Sequence, residues 1–213
     1  VGSGKVSGTN QSMNTPEPAP EIQLTPSQEG FFRSNLDRFF QLFPEVDADA
    51  FWERNPQDRF RVIKDVFSLY AEMFGVPSVK AVDAEYEGGK KPPQQTACRL
   101  LLRVVRNLFA HFPQFDSWDS FTFCHSMVTW DAKGENGMIA RFFKTPPFQP
   151  ATKFRIWHPE LKKFSYLTVS IPTDYLTDRM IPLREILPEK EGVQFSIRMM
   201  ADVLIEAARK AGL

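Results

Sequence analysis

The chain has 213 residues, and its 26 Lys plus Arg are matched by 26 Asp plus Glu, a formal net charge of zero. A basic whole-molecule field that would draw in nucleic acid is therefore excluded, and any RNA contact must rest on a local basic patch or on two patches joined in a dimer. Hydrophobic residues at 42% and charged residues at 24% are values of a globular protein, long enough to fold without covalent staples.

Twenty Phe against four Tyr and four Trp supply the core, each fully buried ring contributing about 1.5–3 kcal/mol. The two cysteines, Cys98 and Cys124, lie in apolar runs. They are too few for a secreted disulfide scaffold and read as small buried hydrophobes. No apolar run reaches the ~18 residues of a transmembrane helix, and the first residues lack the apolar stretch of a signal peptide. The cytoplasm is the expected location.

Residues 1–27, rich in Gly, Ser, Thr and Pro, predict a disordered or tag-and-linker segment, with Met13 as the natural start. Gly2-Ser3-Gly4-Lys5 is not a phosphate loop, because Val6 follows the Lys and neither the earlier glycine nor a preceding strand is present. One domain is expected over 28–213. A first helix from about Ser27 to Phe43 follows Thr25-Pro26 and stops before Pro44, with Phe32, Leu36, Phe39, Phe40 and Phe43 at helical spacing. Asp47 is expected to cap a short helix holding Phe51 and Trp52. A third helix spans about 56–74, ending at Gly75. Residues 76–92 read as a long polar connection. The next helix runs from about Pro93 to His111, has Leu101, Val104, Val105, Leu108 and Phe112 as its buried stripe, and is stopped by Pro113.

Asp116 or Ser117 can cap a helix over about 118–130, with a strand at Phe121 and Phe123 as the alternative. A loop at 133–137 and a short helix at 137–144 follow. Alternation in Lys153–Trp157 and Lys163–Val169 around a turn-like 158–162 predicts a β-hairpin. A final helix is expected over about 193–210. The fold class is mainly α: a helical bundle with a C-terminal β-hairpin and a terminal helix.

The segment Arg106-Asn107-Leu108-Phe109-Ala110-His111 carries the strongest chemical signal. Asn107 and His111, four residues apart, share a helix face. Arg106 and His111 are five apart, about 140° around the axis, so Arg106 must swing toward the His or meet a second copy. A His at a helix C-terminus has its cationic form favoured, which suits proton transfer near neutral pH.

The spacing resembles the Arg-(four to six residues)-His motif of the HEPN superfamily, in which a polar residue, often Asn, follows the Arg, as Asn107 does here. The run Phe112-Pro113-Gln114-Phe115-Asp116-Ser117-Trp118-Asp119 and the flanking helices also resemble the family, and the resemblance covers roughly residues 28–131. Phe112 departs from it, since small residues are frequent there. The resemblance implies a HEPN-like helical bundle that dimerises and brings two motifs into one cleft. It implies a metal-independent endoribonuclease, a toxin or defence effector held in check by an antitoxin or regulatory protein, with no cofactor. His111 would be the general acid or base, Arg106 would stabilise charge on the phosphorane, and Asn107 would orient His111 or hold a phosphate oxygen. Arg99 and Arg103, on the less apolar side of the same helix, are candidates for tracking phosphates. The alternative is a non-catalytic module that uses the same cleft to bind RNA, a nucleotide or a protein partner.

Other candidates are weaker. His125 reads as a core or interface residue and His158 as a turn residue. The three His and two Cys lack zinc spacing, and Asp83, Glu85 and Glu87 read as a solvated acidic loop. Phe154, Trp157, Phe164 and Tyr166 either pack the hairpin on the bundle or stack on bases.

Overall fold

Thr25 opens the first helix through a reciprocal cap. The Gln28 backbone N–H donates to the Thr25 hydroxyl at 3.3 Å, and the Thr25 N–H donates to the Gln28 side-chain oxygen at 3.0 Å. With Pro26 in the first turn, two otherwise orphaned donors are satisfied where the helix starts. The computed structural model describes residues 21–88, 116–120, 122–123, 152–170 and 181–213, together with seven residues between 99 and 109.

Helix α1 spans Pro26–Asp47 and buries Phe32, Phe39, Phe43 and Val46. The expected stop at Pro44 is not taken, and the proline lies inside the helix. Its missing N–H costs one intrahelical bond, but the last turn is held from outside. Val46 is fully buried. The Asp47 carboxylate accepts from Arg198 Nε at 2.6 Å and from Lys163 Nζ at 2.8 Å, and its carbonyl accepts from Gln194 at 3.1 Å. Asp47 thus closes α1 instead of capping the next turn. The 3-10 turn Asp49–Glu53 has Ala48 as its cap residue and no side-chain cap bond.

Helix α2, Pro56–Met73, starts where the Asn55 side chain accepts from the Gln57 N–H at 2.9 Å, and it buries Phe60, Ile63, Val66, Phe67, Tyr70 and Met73. Helix α3, Pro77–Glu87, occupies the stretch expected to be a polar connection. Val79, Val82, Asp83 and Tyr86 are buried there at i, i+3, i+4 and i+7, the stripe of an amphipathic helix. Alternating charges and the following Gly88 obscure that stripe in the sequence. Asp83 is accordingly not part of a solvated loop.

The described residues between 99 and 109 are all helical and form α4. Leu102, Val105 and Phe109 are buried, and Phe109 stacks on Phe67 of α2 with ring centroids 4.3 Å apart. The expected start near Pro93 and end near His111 lie outside the described residues.

Trp118–Ser120 is a single 3-10 turn, and Thr122–Phe123 is a short strand, β1, antiparallel to Ile181–Pro182, which is numbered β4. The strand alternative, not the helix, therefore holds at these residues. The Trp118 indole N–H donates to the Leu187 carbonyl at 3.0 Å, and this long-range anchor together with the β4 pairing outweighs local helical preference. Residues 124–130, the expected loop at 133–137 and the expected helix at 137–144 lie outside the described residues.

Strands β2 (Thr152–His158) and β3 (Lys163–Val169) form the expected antiparallel hairpin, with Phe154 opposite Leu167, Ile156 opposite Ser165 and His158 opposite Lys163. Lys162 takes a positive φ of 51° in the turn. The short helix α5, Leu183–Ile186, leads into α6, Glu189–Lys210. Glu189 and Glu191 in the first turn and Arg209 and Lys210 in the last complement the helix dipole. More than half of α6 is buried, because it is packed by α1, α2 and α3 and by both hairpin strands. The described part of the chain is thus mainly helical, with a two-stranded hairpin followed by a terminal helix. Among the described residues no helix is long and apolar enough to cross a membrane.

Candidate functional site

Helix α4 carries the arginines. Its apolar residues Leu102, Val105 and Phe109 fix the helix against the core, and the intervening positions set where each cation goes. Arg99 turns inward. It is 2% exposed and forms an ion pair with Asp83 of α3. Its guanidinium carbon lies 5.9 Å from the Tyr70 ring centroid and 5.7 Å from that of Phe74. Arg106 is half-buried, with its guanidinium carbon 4.5 Å over the same Phe74 ring. Both contacts are of cation–π type. Arg103 is half-buried as well. The expected solvent-facing stripe is therefore divided, with Arg103 and Arg106 partly at the surface and Arg99 inside.

Tyr70 senses the whole group. Burial pushes its phenol up from the ordinary value, Arg99, Arg106 and Arg103 pull it down, and Asp83 adds to the rise. The charges of Arg99, Arg103, Arg106 and Asp83 all act on this ring.

Asn107 is buried, so from within one chain it is placed to position a neighbour, not to meet solvent. His111, the third member of the expected set, lies outside the described residues, as do His125, Cys98 and Cys124.

A second polar cluster escaped sequence reasoning. His158, expected in a turn, is the last residue of β2 and is fully buried. Its Nδ1 is 2.9 Å from Asp202 Oδ2, and its Nε2 is 2.9 Å from Ser165 Oγ. The Asp202 carboxylate can only accept, so Nδ1 carries the hydrogen of that bond. Ser165 Oγ also accepts from Arg198 Nη1 at 3.1 Å, which leaves its own proton free to point at Nε2. The second Asp202 oxygen accepts from the Glu160 N–H at 3.1 Å. Asp47, Arg198, Ser165, His158 and Asp202 form one continuous chain of hydrogen bonds from the end of α1, through the hairpin, to the middle of α6.

The order of atoms is that of a serine–histidine–aspartate triad. Ser165, however, is 2% exposed and His158 is fully covered, so no substrate carbonyl can reach the hydroxyl. The cluster fastens the hairpin to the bundle. Period-2 alternation was the signal that could have found it, since it puts His158 on the same strand face as Phe154 and Ile156.

Among the described residues no group of three or more His, Cys, Asp or Glu could hold a metal ion. Glu85, once placed in α3, pairs with Lys210 at 2.9 Å. Comparison of the chain with protein-family models, with curated proteins and with solved structures finds no match.

Proposed function

We propose that the protein is a metal-independent endoribonuclease of the HEPN type, acting in the cytoplasm as a toxin or defence effector under the control of an antitoxin or regulatory protein. The observation that carries this reading is Arg106 on α4, half-buried with its guanidinium carbon 4.5 Å from the centroid of the Phe74 ring that Arg99 also approaches, and followed in the chain by buried Asn107. A ribose 2′-hydroxyl attacking the adjacent phosphorus builds negative charge on the phosphorane, and a guanidinium fixed beforehand stabilises that charge without reorganisation. Arg106, held over Phe74 and partly at the surface, would take this role. Arg99, inside and paired to Asp83, stiffens the floor beneath it. Buried Asn107 shares a helix face with His111 by spacing and would orient it, and His111 would move the proton. The products would be a 2′,3′-cyclic phosphate and a free 5′-hydroxyl, and DNA, lacking the 2′-hydroxyl, would resist.

The second reading, a non-catalytic module binding RNA, a nucleotide or a protein partner, draws its support from the burial of Arg99 and Asn107. Purified wild type, Arg106→Ala and His111→Ala on total RNA with EDTA present decide between them. Cleavage by the wild type should fall by about a hundredfold or more in each variant while the circular dichroism is unchanged. Equal cleavage by all three would remove these residues from the chemistry.

A further inference from the structure

Among the described residues four large hydrophobic side chains are exposed, and three of them, Trp157 at 42%, Phe164 at 38% and Tyr166 at 65%, share the outer face of the β2–β3 hairpin. The register sets Trp157 opposite Phe164, Arg155 opposite Tyr166 and Lys153 opposite Thr168. The Trp157 and Phe164 rings lie with centroids 4.7 Å apart at 54°, and the Arg155 guanidinium carbon sits 3.7 Å over the Phe164 ring. The result is a contiguous cluster of guanidinium, phenyl and indole, with the exposed Tyr166 ring on the same face.

These aromatics do not attach the hairpin to the bundle. That work is done by the opposite face, where Phe154, Ile156, Leu167 and Val169 are buried together with His158 and Ser165. Of the four aromatics expected either to pack or to stack on bases, Phe154 packs and the other three remain outside. Lys153 and Arg155 are exposed among them, and none of the outward positions 153, 155, 157, 164, 166 and 168 holds an acid. Flat rings beside unopposed cations complement a chain of bases joined by phosphates. An apolar peptide would leave Lys153 and Arg155 unmatched, and an acidic one would leave the rings unused.

We propose that the outer face of the β2–β3 hairpin binds single-stranded RNA, with Tyr166 and Trp157 stacking on bases and Lys153 and Arg155 meeting the adjoining phosphates. As the substrate contact of a nuclease this rests on the function proposed above. As a binding surface it is measured without cleavage.

The test is fluorescence anisotropy of the full chain with a labelled 2′-O-methyl oligouridine of about ten nucleotides, which has no free 2′-hydroxyl to attack and so is not cut, across a range of salt. The expected result is binding that Tyr166→Ala weakens about tenfold, that Tyr166→Phe leaves within about twofold because the ring remains, and that Lys153→Glu weakens while flattening the salt dependence. Tyr166 and Lys153 are exposed, so circular dichroism should match the wild type in every variant. Wild-type affinity in both Tyr166→Ala and Lys153→Glu would overturn the proposal. So would equal affinity for a duplex of the same length. An absence of binding at low salt, with self-association that Tyr166→Ala abolishes, would overturn it in favour of a contact between copies. Tyr166-dependent binding, with no cleavage of total RNA by the wild type, would leave this surface standing and remove the nuclease reading. Cleavage that depends on Arg106 with binding indifferent to Tyr166 would do the reverse.

Discussion

Asp202 lies between Ala201 and Val203 in the buried middle of α6, and its two oxygens serve two different segments, the ring of His158 and the N–H of Glu160. Asp202→Ala strips partners from both, and a buried donor left unmatched costs about 1–3 kcal/mol. A loss of about 3 kcal/mol in urea unfolding is expected for Asp202→Ala, and about 1–2 kcal/mol for Ser165→Ala. A fluorophosphonate probe of nucleophilic serines should leave Ser165 unlabelled, since its hydroxyl never meets solvent; intact-mass measurement checks this. The buried phenols give a pH signature. Burial pushes Tyr86 up, Glu206 adding to the rise, and burial pushes Tyr70 up as well. Above the ordinary phenol value near 10 the unfolded chain loses these protons first, so stability is full below about pH 10 and falls as the pH rises beyond it. Tyr86→Phe should flatten that alkaline fall. For Tyr70→Phe little stability should be lost at neutral pH, because the Tyr70 hydroxyl has no hydrogen-bond partner among the described residues.

The helices show which sequence signals carry through folding. α2 matched its expected span to within a residue because a cap, a proline and an apolar stripe agree there. α1 overran its expected end because Val46 and Asp47 are held by residues of the hairpin and of α6, far along the chain. α3 was missed because a Pro at its start and Glu, Asp and Lys along its length imitate a loop, although Val79, Val82 and Tyr86 already stood at helical spacing. The strand at Thr122–Phe123 depends on a partner almost sixty residues away, beyond any local window. Thr25→Ala, which removes one half of the α1 capping box, should cost about 1 kcal/mol by thermal or urea unfolding. Gly192 in α6 is a tighter constraint. A Cβ there would lie 2.7 Å from the side chain of fully buried Leu187 and 3.3 Å from the Trp118 ring. Overpacking of about 1–3 kcal/mol exceeds the ~1 kcal/mol that Ala gains over Gly in a helix, so Gly192→Ala should be destabilising.

Across the chain as a whole, composition rightly excluded a basic global field, but only the folded arrangement shows Arg99 and Arg106 meeting at the Phe74 ring. Arg106 and Asn107 were readable as a motif on a helix, whereas the inward turn of Arg99 was not, since its Asp83 partner sat in a stretch read as loop. If the catalytic set is completed across a twofold axis, neither Arg106→Ala nor His111→Ala should cleave RNA alone, while a mixture allowed to exchange subunits should recover part of the activity. Sedimentation velocity gives the accompanying prediction of a dimer. The position of α6 in the order of synthesis has a further consequence. It is made after every element that it covers, so α1, α2 and α3 leave the ribosome with the apolar side chains that it will cover open to solvent. At ordinary elongation rates that interval is on the order of ten seconds, long against the collapse time of a chain this size. The nascent protein is therefore a natural client for chaperones that hold apolar segments. If it is a toxin, its own assembly supplies a delay in which an inhibitor can engage the uncovered helices before the final one locks them in place.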